Sequence, residues 1–382
     1  MASPLTAPDA RRQPGLDTLR ALAIVLVFAY HYRIFVSPQP GLGWPAAMGW
    51  VGVDLFFVLS GYLIGQQLLA GLVQGQPLQL GAFYARRALR TWPAFWLVLA
   101  AYFLMPSVMG GRPPPPLWAF LSFTQNIHLQ PGTAFSHAWS LCIEEQFYAV
   151  LPLVLLLAVR IGAGRWQAWA LLAVLSSMGI SMRWWLWGRH GLEAGGQIDG
   201  YHPNIYYATW CRADEFLPGV ALALLQHLHP AAWQRISAHG RALLVAGLAT
   251  SALMLLAVDR WYYIDGLGYG FGMTVFGYSG IALAFALLVA AAISPGNGLA
   301  HLRVPGAAAL ARWSYAIYLS HKAVGVVVKA HVAPLLGGAA WADWALLLID
   351  IAASLLVGAG IYRLVERPFM RLRQRWVPGS FA

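Results

Sequence analysis

The sequence predicts an all-α, polytopic integral membrane bundle with about ten transmembrane helices. Of its 382 residues, 59% are hydrophobic and only 10% are charged, whereas an ordinary soluble domain has about 25% charged residues. Apolar runs of about 17 to 25 residues, each able to cross a hydrocarbon core of about 30 Å, recur from residue 17 to residue 364. We therefore expect a single transmembrane domain over residues 1–382, with no additional soluble domain.

The apolar runs are the helix candidates, and several are flanked by tryptophans such as Trp50, Trp92 and Trp261, which suit the interfacial aromatic belts of membrane proteins. The first run follows a mostly polar stretch without a signal-peptide cleavage pattern, so we expect an uncleaved first helix. The sixth run is short and is interrupted by Pro218 and Gly219. In chain order, the candidates are residues 17–36, 47–70, 91–106, 138–160, 167–187, 213–228, 241–258, 269–293, 307–330 and 342–364.

The distribution of lysine and arginine predicts the orientation, because short loops rich in these residues remain in the cytoplasm. With the N-terminus inside, about twice as many basic residues lie at inner helix ends and loops as at outer ones. We therefore expect a multi-pass protein of a bacterial inner membrane, surrounded by membrane lipids, with cytoplasmic N- and C-termini. Two long segments, residues 107–137 and 188–212, would then lie outside.

Charge and cysteine content exclude other classes of protein. A net charge of +11 would suit nucleic acid in a soluble protein, but here the basic residues sit at helix ends, where orientation explains them. We expect no nucleic-acid partner. Cys142 and Cys211 are the only cysteines, too few for a disulfide framework or a zinc site, and we expect no metal.

Ionisable side chains inside the predicted helices indicate a functional region, because a charge in hydrocarbon is costly. His31, Asp54, Glu144 and Glu145 lie about five to seven residues from the outer ends of their helices, hence at a similar depth of about 8 to 10 Å. Slightly nearer the outer surface lie His137, Arg212, Asp214 and Glu215.

Helix 1 carries a cation and an imidazole on one face. Arg20 and His31 are eleven positions apart, which returns an α-helix to within about 20° of the same face and about 16 Å along its axis. A guanidinium near the cytoplasm would then share a face with an imidazole near the outside. An interfacial arginine with a core histidine is the alternative explanation of this spacing.

Helix 4 carries the carboxylates. Ser140, Glu144 and Tyr148 share a face at i and i+4, and Glu145 is turned about 100° away. A carboxylate beside a histidine in a dry site could orient the imidazole as a general base that activates a hydroxyl. Paired carboxylates could instead form a path for cations, so the pair alone does not decide the function.

The segment FYARRALRTWP places Arg86, Arg87 and Arg90 at the inner mouth of helix 3. The forked donors of arginine match the oxygen atoms of phosphate groups. The same residues could serve only as cytoplasmic anchors of the helix. The arginine spacing therefore leaves a phosphate site and a purely topological role open.

Seven stretches of the chain, in the same order and covering nearly its whole length, resemble the acyltransferase family 3 membrane proteins. This family contains O-acetyltransferases of O-antigen, exopolysaccharide and peptidoglycan. The stretches are GLDTLRALAIVLVFAYH (15–31), GVDLFFVLSGYLI (52–64), FYARRALRTWPAFW (83–96), HAWSLCIEEQFYAVLP (137–152), RADEFLPGVALA (212–223), WSYAIYLSH (313–321) and YRLVERP (362–368).

The resemblance implies an acyl-CoA donor, usually acetyl-CoA, at the cytoplasmic side and a carbohydrate acceptor at the periplasmic side, either a surface polysaccharide or a lipid-linked glycan. Some relatives carry a further periplasmic hydrolase-like domain after the membrane core, which we do not expect in a chain ending at Ala382. The family's arginine-to-histidine pattern corresponds to Arg20 and His31. Its other patterns cover the arginines of helix 3, the glutamates of helix 4 and the segment that ends at His321.

These observations together predict a membrane O-acyltransferase, with His31 as general base or transient acyl carrier and Glu144 or Glu145 orienting it. The predicted catalytic residues are His31, Glu144, Glu145 and His137. The predicted donor-binding residues are Arg20, Arg86, Arg87 and Arg90. The predicted substrate-binding residues are Asp54, Ser140, Tyr148, Tyr315 and His321. A transporter or flippase of glycan or lipid precursors, and a non-catalytic partner of an export machine, are the alternatives.

Overall fold

Helices dominate the computed structural model, which describes residues 13–337 and 341–377. The principal helices are α1 (Pro14–His31), α2 (Val51–Val73), α3 (Leu80–Leu104), α4 (Trp139–Arg160), α5 (Arg165–His190), α6 (Leu217–Leu228), α7 (Gly240–Trp261), α8 (Tyr278–Ala292), α9 (Ala307–His331), α10 (Ala342–Ile361) and α11 (Arg367–Trp376).

Short helical segments fill most of the connections. These are Trp44–Met48, Pro106–Met109, Leu117–Leu121, Ser136–Ala138, Glu193–Gly195, Gln197–Tyr201, Thr209–Arg212, Ala213–Phe216, Pro230–Ser237, Gly298–His301 and Ala333–Leu336. Turns of π-helix cover Tyr32–Val36, His202–Tyr206, Met273–Gly277 and Tyr362–Glu366. The strands β1 (Tyr263–Ile264) and β2 (Gly268–Tyr269) form a small antiparallel hairpin.

Several helices expose apolar side chains in the way that a lipid environment requires. Within the described residues, six helical stretches are long and apolar enough to cross a membrane, namely Pro14–Val36, Val51–Val73, Ser136–Arg160, Gly240–Trp261, Met273–Ala292 and Ala342–Trp376. On α7, Val245, Leu248, Leu253 and Leu256 are each more than half exposed. Such a continuous apolar surface suits lipid and not water. The chain is therefore an all-α membrane protein.

Each predicted apolar run overlaps a helix, but several predicted bounds were wrong. The run 269–293 begins nine residues before α8, because a π-helical turn over Met273–Gly277 precedes Tyr278. Helix α3 begins at Leu80 and not at residue 91, because alanine, leucine and arginine are all strong helix formers and the helix continues through its arginines. Helix α6 has only 12 residues, since Pro218 lies in its first turn and a 3₁₀ turn precedes it. At about 1.5 Å per residue, α6 is about 18 Å long and shorter than a hydrocarbon core.

The centre of the bundle is α1, which packs between α2 and α9 and buries Ala23 and Ile24 almost completely. Glycines allow α6 to approach α2 closely. A Cβ on Gly61 would lie 2.0 Å from the carbonyl oxygen of Phe216, and one on Gly219 would lie 2.1 Å from that of Val58. Small residues at such crossings let backbones touch, and this packing brings the segment before α6 against α2.

Candidate active site

Three histidines from three different elements meet at the end of the bundle where α1 terminates. Nδ1 of His31, the last residue of α1, lies 2.7 Å from Nε2 of His321 on α9. His137, just before α4, has its ring centroid 6.0 Å from that of His31 and 5.3 Å from that of His321. His137 and His321 are each 3% exposed, whereas His31 is half-buried. Of the three, His31 is thus the one that a reactant can approach.

Backbone carbonyls determine which nitrogen of each neutral imidazole carries the proton. Nδ1 of His321 lies 3.0 Å and 2.9 Å from the carbonyl oxygens of Ile317 and Tyr318, so this nitrogen donates. Nε2 of His321 then accepts a hydrogen bond from Nδ1–H of His31. The remaining nitrogen of His31, Nε2, keeps its lone pair. This arrangement is the one that a general base requires.

His137 is held by contacts to α9. Its Nε2–H donates to the carbonyl oxygen of Leu319 over 3.2 Å, and the Tyr318 hydroxyl donates to the carbonyl oxygen of His137 over 2.7 Å. Ser140 Oγ lies 2.5 Å from the same tyrosine hydroxyl. Nδ1 of His137 is buried and has no hydrogen-bond partner among the described residues. The start of α4 is therefore fastened to α9 beside the histidine cluster.

The two glutamates of α4 take partners other than the histidines. Glu144 accepts hydrogen bonds from the hydroxyls of Ser60 and Tyr148. Glu145 accepts from Thr91 Oγ1 over 2.9 Å and from Trp92 Nε1 over 3.1 Å. These bonds attach the middle of α4 to both α2 and α3.

The expectation that Glu144 or Glu145 orients His31 was therefore wrong, because the hydrogen bond of His31 within the described chain goes to His321. The physical reason is axial distance. Glu144 follows His137 by seven residues, which is about 10 Å along the helix. The sequence predicted a similar membrane depth for His31 and the two glutamates, but the side chains do not meet in the folded protein.

Ser140, Glu144 and Tyr148 share one face of α4, as predicted, and form a polar track along the bundle. The track begins beside the histidine cluster at Ser140 and continues through the hydrogen bond from Tyr148 to Glu144. It ends where the guanidinium carbon of Arg87 lies 3.8 Å from the ring centroid of Tyr148. A chain of polar groups thus connects the histidines with the arginines of α3.

A group of five arginines, which we call the arginine cluster, occupies the other end of this track. Its members are Arg20 on α1, Arg86, Arg87 and Arg90 on α3, and Arg373 on α11. Arg20 and Arg90 are close enough to repel each other, and Arg373 is repelled by the three arginines of α3. The four arginines that the sequence predicted to act together are therefore neighbours in space.

Three donors of the arginine cluster are buried and have no partner among the described residues. These are Nη1 of Arg86 and the Nε atoms of Arg87 and Arg373. A buried donor without an acceptor is costly, and several like charges together add repulsion. The cluster therefore suits a multiply charged anion, and the forked donors of arginine match phosphate.

Sequence reasoning missed Arg373, because it lies beyond the last predicted apolar run. Helix α11 packs against α3 and turns Arg373 toward the cluster. Glu366, 5% exposed, precedes α11, and its carboxylate interacts electrostatically with Arg90. The segment RPFMRLRQRW (367–376) alternates apolar and basic residues at helical spacing, and that pattern was the available signal.

A cavity of about 510 Å³ opens between α3 and α4 beside the arginine cluster, a size typical of ligand pockets. The polar side chains Arg87, Glu145 and Tyr148 border it. Its full lining is Tyr84, Ala85, Arg87, Ala88, Trp92, Ser122, Phe123, Glu145, Gln146, Tyr148 and Ala149. Tyr315, predicted to bind substrate, lies behind this wall and donates to the carbonyl oxygen of Thr91 over 3.0 Å.

Asp54 does not join the predicted site, because it is fully buried and its Oδ1 lies 3.2 Å from Nη2 of Arg212. Arg212 also pairs with Glu215. A second buried pair joins Arg183 and Asp214 through contacts of 2.6 Å and 2.9 Å. Asp54 thus neutralises a buried arginine, and the prediction that it binds substrate finds no support in its position.

Within residues 13–337 and 341–377, no group of three or more histidine, cysteine or acidic side chains is arranged to hold a metal ion. The three clustered histidines direct their nitrogen atoms at each other and at backbone carbonyls. The cluster is therefore arranged for hydrogen bonding.

Residues 13–377 match the family model of the acyltransferase domain of family 3. The chain is 32% identical to peptidoglycan O-acetyltransferase OatA of Listeria monocytogenes over 230 residues, which cover 56% of this chain and 34% of the relative. It is 29% identical to the putative peptidoglycan O-acetyltransferase YrhL of Bacillus subtilis over 93% of this chain and 54% of the relative. A putative O-acetyltransferase of Staphylococcus aureus is 25% identical over 94% of this chain and 58% of its own length.

The chain thus spans between about a third and three fifths of the length of these curated relatives. No solved structure shows a significant match. The family model nevertheless covers almost the entire chain, including α1 with its arginine and histidine, the arginines of α3 and the glutamates of α4. This protein is therefore a member of the acyltransferase 3 family.

Proposed function

We propose that this protein is an O-acetyltransferase that moves an acetyl group from acetyl-CoA to a hydroxyl group of a carbohydrate. The observation that carries the proposal is the polar track, which joins arginines with unpartnered donors to a histidine with a free nitrogen lone pair. The arginines suit a donor that carries several phosphates. The histidine suits an acceptor hydroxyl that must lose its proton. The cavity beside Arg87 provides space next to the arginines.

The arginine cluster would hold the phosphates of CoA, and the acyl-bearing arm would extend along the track toward His31. Arg20 and His31 are about 16 Å apart along α1, so an elongated donor suits the site better than a compact one. The unpartnered nitrogen atoms of Arg86, Arg87 and Arg373 would gain phosphate oxygens as acceptors, which offsets the cost of their burial.

In the proposed reaction, Nε2 of His31 takes the proton of the acceptor hydroxyl while the oxygen attacks the thioester carbonyl. The carbon–sulfur bond then breaks, CoA leaves as a thiolate, and the imidazolium returns its proton to the sulfur. His321 holds the ring of His31 through the 2.7 Å hydrogen bond, as the third group of a catalytic triad does. A direct transfer and a transient acyl-histidine both fit this geometry.

The carbohydrate acceptor is inferred from the relatives, two of which are named for peptidoglycan O-acetylation. We further propose ten membrane crossings, in which the helical segments Thr209–Arg212 and Ala213–Phe216 extend the short α6 across the membrane. A bacterial inner-membrane location and cytoplasmic termini are proposed on the basis of the excess of arginine at one end of the helices. The arginine cluster would then face the cytoplasm, where CoA is present, and the histidines would face the opposite side.

Replacing His31 tests this function. In purified His31→Ala protein, acetyl transfer from acetyl-CoA to chitotetraose, a β-linked N-acetylglucosamine oligomer, should fall by about 10² to 10⁴, the usual effect of losing a general base. Binding of acetyl-CoA, measured by isothermal titration calorimetry, should be nearly unchanged. His331→Ala is the matched control, because His331 is an exposed histidine near the end of α9.

The transfer assay counts acetylated oligosaccharide by mass spectrometry and free CoA thiol in parallel. Wild-type rates of transfer in a folded His31→Ala protein would exclude both the general-base and the acyl-histidine versions. A folded wild-type protein that transfers no acetyl group in this assay would instead favour the transporter or the non-catalytic partner, since neither catalyses acetyl transfer.

A further inference from the structure

Lys322 is a buried lysine beside the histidine cluster. It follows His321 on α9 and is 4% exposed. Only two lysines occur in the 382-residue sequence, and the other, Lys329, is exposed near the end of the same helix. Lysine is rarely buried without a compensating partner, so its position at 322 calls for a physical reason.

The contacts of Lys322 connect the three segments that carry the histidines. Its Nζ donates to the carbonyl oxygen of Thr133 over 3.3 Å and to Ser136 Oγ over 3.0 Å, and Ser136 directly precedes His137. Nζ also lies 4.3 Å from the ring centroid of Phe35, which packs against His31 with 5.6 Å between ring centroids. One ammonium group therefore fastens α9 both to the turn before α4 and to the end of α1.

The charge of Lys322 is not neutralised by a carboxylate in any contact found within the described residues. The titratable groups that face the cluster are the three imidazoles themselves and the hydroxyls of Tyr30, Tyr102 and Tyr318. Arg33 follows on the chain after α1, and the Asp350 carboxylate of α10 lies beside Gly325, one turn of α9 beyond Lys322. Burial is the largest influence against charging the three imidazoles, the other histidines add to it for His31, and the positive charge of Lys322 acts on all three in the same direction. A positive charge in a poorly screened site opposes the formation of a second one nearby.

We propose that Lys322 is a positioning residue that joins the three histidine-bearing segments and helps to keep the His31 imidazole in the uncharged form that can accept a proton. A lysine suits this task better than an arginine, because a compact ammonium fits between a hydroxyl, a carbonyl oxygen and an aromatic ring. The role in catalysis rests on the proposed acetyl transfer, whereas the effect on the charge of His31 does not.

The charge effect is tested by chemical modification of the full-length protein in lipid nanodiscs. Diethyl pyrocarbonate reacts with neutral imidazole, and peptide mass spectrometry reports the modification of His31 between pH 5 and pH 8. In Lys322→Met and Lys322→Gln, the midpoint of this modification should move to higher pH by about half a unit, because the opposing charge is gone. Lys329→Met is the matched control and should behave as wild type.

The two variants separate charge from hydrogen bonding. Lys322→Gln keeps an N–H donor for Ser136 and Thr133, whereas Lys322→Met keeps only the approximate length of the side chain. As the pH is lowered in the chitotetraose assay, His31 becomes protonated and activity is lost. This loss should occur at a higher pH in both variants than in wild type, and the KM for acetyl-CoA should be unchanged. The plateau kcat should fall further in Lys322→Met, since this variant also loses the contacts that align the histidines.

An unchanged His31 modification profile in folded Lys322→Gln would overturn the proposal. If Lys322→Met fails to fold, the glutamine variant, which retains the donor, still decides the question. Wild-type protein that transfers no acetyl group to the oligosaccharide would count against the proposed function alone, because the modification profile of His31 does not require transfer.

Discussion

Two groups of arginines lie in this bundle, and their surroundings are opposite. Arg183 and Arg212, in the segments that surround α6, are fully buried, and carboxylates and backbone carbonyls satisfy them. The arginine cluster at the beginning of α1 and α3 contains three buried donors without acceptors among the described residues. Arginines of the first kind hold the fold together, and those of the second kind fit the donor-phosphate site that we propose.

The two groups differ in whether acceptors satisfy their donors, and this difference separates structural arginines from candidate binding arginines. A buried arginine costs least when carboxylates accept its donors, as Asp214 does for Arg183. Donors left open, and arginines that repel one another, lower stability until an anion arrives. The open donors, and not the number of arginines, are therefore the observation on which the proposed donor site rests.

The largest effect is expected from breaking the structural group. Arg212→Met leaves Asp54 and Glu215 as uncompensated buried carboxylates and also removes the guanidinium that lies 4.1 Å from the Tyr278 ring centroid. The free energy of unfolding should fall by about 3 to 5 kcal/mol. A thermal unfolding scan in detergent measures the change, with the exposed Arg260→Met as control. A Tm equal to that of wild type would show that the ion pairs carry no stability.

A smaller effect, on binding and not on stability, is expected in the arginine cluster. Arg87→Ala removes a donor aimed at the proposed phosphates, and acetyl-CoA affinity should fall about 10- to 100-fold, as for loss of a hydrogen bond between charged groups. Lysine at the same position should restore part of the affinity, because it keeps the positive charge but lacks the paired N–H donors of the guanidinium group.

Calorimetric titration of acetyl-CoA into Arg87→Ala decides the point, with the exposed Arg235→Ala as a control for overall charge. The Tm of the variant should fall slightly, because Arg87 also attracts the Glu145 carboxylate and lies against the Tyr148 ring. Equal donor affinity in both proteins would leave the arginines of α3 with a purely topological role.

The smallest effect is expected from Arg373, which lies at the half-exposed edge of the cluster. Arg373→Gln should weaken acetyl-CoA binding by about 3- to 10-fold, because solvent screens this charge. Arg375→Gln is the matched control on the same helix, being exposed. Raising the salt concentration should reduce the difference between the two variants. Identical affinities at low salt would remove α11 from the donor site.

The helices themselves were largely predictable. The hydrophobic runs located α1, α2 and α4 along the chain, and the helical periodicity of α1 placed Arg20 and His31 on one face. The beginning of α3 was not predictable from hydropathy, because a hydropathy window treats arginines as the end of a membrane segment. The same effect concealed α11, whose polar composition resembles a tail until its packing against α3 is known.

For the site, the sequence by itself determined which ionisable and polar residues each helix carries, which of them share a helix face, and in what order they follow along the chain. That was enough to group the arginines of α3 with Arg20, and to identify Ser140, Glu144 and Tyr148 as one stripe. Only the tertiary structure decided that His321 and not Glu144 is the partner of His31, and that Asp54 belongs to Arg212. The physical reason is that hydropathy reports depth along each helix separately, whereas hydrogen bonds of about 3 Å depend on how helices rotate and shift against their neighbours.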